Sequence, residues 1–80
     1  MFMIAYLASR QSDVPEELRT CNAPNLAGAV RTGTTAVQNM AFAKGRFRNT
    51  VVGFIVEGPD GEELYRWYDD VLCEKASLGN

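Results

Sequence analysis

Eighty residues, 46% of them hydrophobic, describe one domain near the lower size at which a single core suffices, and argue against a disordered chain. The chain has no histidine, which removes histidine-based zinc sites, histidine general bases and the usual hydrolytic triads. The formal net charge of −2 hides an asymmetry: residues 1–56 carry six basic groups against three acids, whereas residues 57–80 carry seven acids against Arg66 and Lys75. Such an acidic end is either a solvated surface or the face that meets a basic partner.

The N-terminal run Met1–Ala8 is apolar but short, lacks a basic leader and reaches charge at Arg10, so it predicts neither a signal peptide nor a membrane span. The expected setting is cytoplasmic, of bacterial type, with Cys21 and Cys73 as free thiols. Phe2–Ala8 reads as a strand apolar on both faces, the pattern of a central strand. The polar stretch that follows has two readings. Asp13-Val14-Pro15-Glu16 suits a capped turn of helix, and Glu17–Cys21 alternatively suits a second, edge strand.

Pro24-Asn25 introduces a helix with Asn25 as N-cap. Leu26, Val30, Gly33, Val37 and Met40 recur at helical spacing, and the expected helix spans 25–44 before stopping at Gly45. A glycine within the buried stripe, Gly33, predicts close approach of helix to sheet between Ala29 and Ala36.

The least ambiguous signal is Thr50–Tyr68. Gly58-Pro59-Asp60-Gly61 is a turn in which Pro59 pre-sets its φ and Gly61 takes a positive φ, between two flanks rich in β-branched and aromatic residues. With Glu62 opposite Gly58, the register carried outward sets Gly53 against Trp67, Phe54 against Arg66, and Ile55 against Tyr65. Val52, Phe54, Val56 and Leu64 then share the face that receives the helix. Ile55, Tyr65 and Trp67 share the other, an aromatic patch of the kind that marks interaction sites. After Tyr68, Asp69 or Asp70 is placed to cap a short C-terminal helix.

No catalytic, metal or cofactor site emerges. Asp69-Asp70 with Glu74 reads as helix-capping acids, and the two cysteines lack an activating base. Lys44-Gly45-Arg46-Phe47-Arg48 interleaves cations with a ring and is similar to the basic-Gly-aromatic strand of RNA-recognition domains. It is the alternative site, with Lys44, Arg46, Phe47 and Arg48 contacting phosphates and stacking on bases.

Pro24-Asn25-Leu26-Ala27-Gly28-Ala29, together with Phe54 through Asp70, resembles a family of short uncharacterised bacterial proteins. Those open with an aromatic strand, carry a helix introduced by Pro-x-Leu-x-x-Ala and close on a strand-Asp-x-Gly-strand hairpin. The resemblance covers about half of the chain and implies a fold only. By type, small size, an acidic end and no catalytic chemistry are also similar to phage-encoded inhibitors of bacterial defence complexes, anti-CRISPR proteins among them.

The expectation is an α+β domain in β-α-β-β order, with an antiparallel sheet of three strands, or four, against one long helix. Functionally it is a non-catalytic protein-binding module. Tyr65, Trp67 and Ile55 would provide contact area, while Glu62, Glu63, Asp69 and Asp70 steer it onto a basic, nucleic-acid-binding protein complex. A homodimer is the further alternative.

Overall fold

A computed structural model describes residues 1–11, 14–39 and 51–78, the last four as backbone. Four strands, β1 (Phe2–Leu7), β2 (Glu17–Cys21), β3 (Gly53–Glu57) and β4 (Glu63–Tyr68), form one antiparallel sheet in the order β2-β1-β3-β4. The helix α1 (Leu26–Gln38) connects β2 to the second half of the chain, and α2 (Asp70–Leu78) follows β4.

The apolar run of β1 makes it a central strand, and Ile4, Ala5, Tyr6 and Leu7 are all buried. Residues 17–21 form the edge strand, and residues 14–16 are not helical, which settles the choice left open by the sequence; Asp13 lies outside the described residues. The period-two pattern decided it. Glu17, Arg19 and Cys21 alternate with the more exposed Leu18 and Thr20, and the side chains of Glu17 and Arg19, on one face, form an ion pair. A short, charged strand is also a safe edge.

Asn25 caps α1 from an extended conformation, its side-chain oxygen accepting from the Gly28 amide at 2.9 Å. Asn39 forms the C-cap; the expected continuation through 44 and the stop at Gly45 fall outside the described residues. Ala29, Gly33 and Val37 form the buried stripe. At Gly33 the close approach is literal, because a Cβ there would sit 2.7 Å from the Phe54 ring. The core therefore lies between α1 and one sheet face, with Ile4, Tyr6, Phe54 and Val56 meeting Ala29 and Val37, and Leu72 of α2 packed at its margin.

Candidate functional site

The β3–β4 hairpin closes as its residues predict. The Gly61 amide donates to the Gly58 carbonyl at 2.9 Å, Gly61 has φ +84°, and the Gly58 amide donates to the Glu62 carbonyl at 2.9 Å. Beyond the turn the ladder slips by one residue. Glu57 pairs with Glu63 but Val56 pairs with Tyr65, leaving Leu64 as the extra residue of a β-bulge.

The bulge corrects the expected faces of β4. Gly53 faces Tyr68, Phe54 faces Trp67 and Ile55 faces Arg66. Tyr65 and Trp67 thus stand on the helix side of the sheet, their ring centroids 6.2 and 5.7 Å from that of Phe54, and Trp67 is half-buried against the core. Ile55 points to the opposite face, so the expected Ile55–Tyr65–Trp67 patch does not exist as one surface. A side-chain period of two leaves no alternative once one residue is inserted. Tyr65 nevertheless stays 37% exposed, beside Leu64 at 40%.

The same slip puts Glu63 and Arg66 on one face although they are three residues apart. Arg66 donates from Nε and Nη2 to the Glu63 carboxylate, at 3.2 and 2.7 Å, and from Nη1 to the Tyr68 hydroxyl at 2.7 Å. This fork holds the Glu63 carboxyl below its usual range and raises Arg66 further. It also offsets the direct opposition of two like charges, Glu57 and Glu63, across the ladder. Both arginines approach the Tyr68 ring, the Arg66 and Arg10 guanidinium carbons lying 6.0 and 5.1 Å from its centroid, and Arg10 forms an ion pair with Asp70.

The acids expected to steer a partner therefore divide. Asp69 is the N-cap of α2, its Oδ1 accepting from the Leu72 amide at 3.0 Å. Asp70 is held by Arg10 and Glu63 by Arg66, whereas Glu62 is exposed beside the exposed turn residues Asp60 and Gly61. Lys44, Arg46, Phe47 and Arg48 lie outside the described residues.

Sequence reasoning missed the opposite sheet face, where Ala5, Leu7, Leu18 and Ile55 floor a cleft that Arg10 and Arg66 also line. Its only sequence signal is the second apolar face of β1. Cys21 and Cys73 are free thiols. Among the described residues no three Cys, Asp or Glu side chains converge to hold a metal ion, and no helix is long and apolar enough to cross a membrane. No protein-family model, curated protein or solved structure matches the chain.

Proposed function

We propose that the chain is a non-catalytic protein-binding module whose contact surface is the outer edge of the β3–β4 hairpin. The observation that carries this reading is the pair Leu64 and Tyr65, two large exposed side chains adjacent on an edge strand. Leu64 is exposed because the bulge takes it out of the ladder, and Tyr65 stays partly exposed beside it on the edge strand. A bulged, twisted edge disfavours simple strand addition, so contact through side chains is the mode this edge suits. Asp60 and Glu62, exposed at the adjoining turn, match a partner with a basic surface and would raise its association rate more than its affinity. In its finer form the proposal is an inhibitor of anti-CRISPR type, covering the nucleic-acid-binding surface of a bacterial defence complex. The size of the chain and its acidic C-terminal third support that form.

The test compares wild type with Tyr65→Ser and Leu64→Ser in pull-downs from nuclease-treated bacterial lysate, with circular dichroism as the fold control. The reading expects a protein band that survives nuclease, weakens as salt is raised and disappears with either substitution. A band indifferent to both substitutions, or a wild-type homodimer that captures nothing, rejects it.

A further inference from the structure

The face of the sheet that α1 leaves open is a second feature, independent of the hairpin edge. Three strands contribute its floor: Ala5 and Leu7 from β1, Leu18 from β2 and Ile55 from β3. Ala5 and Leu7 are buried on this face, at a half-open cleft of about 470 Å³ that Gln11 and Pro15 also line. That volume suits a small molecule rather than a folded partner.

The two arginines that line the cleft, both beside the Tyr68 ring, differ electrostatically. Arg66 has three N–H groups committed to Glu63 and Tyr68, and Glu57 also lines the wall, so an anion on Arg66 would meet two carboxylates. Arg10, by contrast, is half-exposed and paired with Asp70, whose side chain is 90% exposed. An ion pair that open is weak, and its carboxylate is readily exchanged for another. Asp70 shows what Arg10 binds, and the apolar floor beside it shows what that carboxylate should be attached to.

We propose that the cleft binds a small amphipathic carboxylate, its hydrocarbon on Ala5, Leu7, Leu18 and Ile55 and its carboxylate on Arg10 in place of Asp70. Guanidinium–carboxylate pairing supplies orientation, and the floor supplies most of the affinity.

Titration of the ¹⁵N-labelled full chain with octanoate at millimolar concentrations, followed by amide chemical shifts, tests this, with octan-1-ol and octylamine as controls. Saturable shifts should centre on Ala5, Leu7, Arg10, Leu18 and Ile55, and octanoate should bind roughly tenfold tighter than octan-1-ol. Arg10→Gln should erase that preference, while Asp70→Asn should tighten octanoate roughly two- to fivefold by removing the internal competitor. Leu18 is 54% exposed, so Leu18→Gln should leave the fold intact and weaken all three probes. The proposal fails if no saturable shift occurs, if octanoate and octan-1-ol bind equally, if Arg10→Gln changes nothing, or if the shifts centre on Leu64 and Tyr65.

Discussion

The two faces of one sheet are closed in opposite ways. Against α1 the closure is apolar and final. Phe54, Val56 and Val37 are almost fully excluded from water, and Gly33 gives up its side chain to admit a ring. On the other face the cleft is lined in part by two long polar side chains, Arg10 and Arg66, whose charged ends are tied by exposed ion pairs. The first face carries stability. The second is held by contacts that water or a ligand can replace.

Substitutions can break this contrast, the most severe being Phe54→Ala. It removes the ring that joins α1 to Tyr6, Tyr65 and Trp67, and should cost about 3–5 kcal/mol. At roughly 4–8 °C per kcal/mol for a domain this small, thermal denaturation should show the variant largely unfolded at the wild-type midpoint. Next comes Tyr6 on the same face. Burial, partly offset by Arg19, pushes its phenol from 10.0 up to about 12. The unfolded chain releases that proton first, so this stabilisation is complete below pH 10 and lost as pH rises from 10 to 12, about 2–3 kcal/mol at most. Absorbance titration should show one of the three tyrosines ionising late, and denaturant midpoints should fall across the same interval. Normal titration of all three would place Tyr6 outside the core.

Gly33→Ala sharpens the comparison because local propensity and packing disagree in sign. Helix propensity favours alanine by about 1 kcal/mol, but the added methyl meets the Phe54 ring at 2.7 Å, and overpacking costs about 1–3 kcal/mol. A net loss of about 1 kcal/mol in urea denaturation is expected; a gain would mean that the helix is free to lift. The smallest effect belongs to the open face. Arg66→Gln should change stability by under about 1 kcal/mol, with the Glu63 carboxyl returning toward its ordinary range in an NMR titration.

Legibility followed distance along the chain. The turn and the helix cap depend on neighbours within a few positions, and Pro59, Gly61 and Asn25 announce them directly, while the Gly33 approach to Phe54 showed only as a glycine within the apolar stripe. The register of β4 does not announce itself. A bulge consumes one residue of any type, and Leu64 is as suited to a ladder as to a bulge. Pairing an aromatic ring with Gly53 gave no guidance either, because Trp67 and Tyr68 are consecutive and both registers satisfy it. One slip therefore exchanged the faces of Tyr65 and Trp67 and hid the cleft beneath Arg66. The edge strand β2 was ambiguous for a related reason, since five mixed residues become a strand only once β1 lies alongside.

The position of β1 inside the sheet also orders events in time. It pairs with β2 soon after it in sequence, but its other partner, β3, arrives roughly 50 residues later. The β3–β4 hairpin closes across a four-residue turn and has no such delay. We expect pulsed hydrogen exchange to protect hairpin amides before the β1–β3 ladder, and simultaneous protection would refute this order. On the ribosome, one edge of the apolar strand β1 therefore has no partner until β3 is made, so the growing chain is prone to aggregate while residues 22–52 are being added.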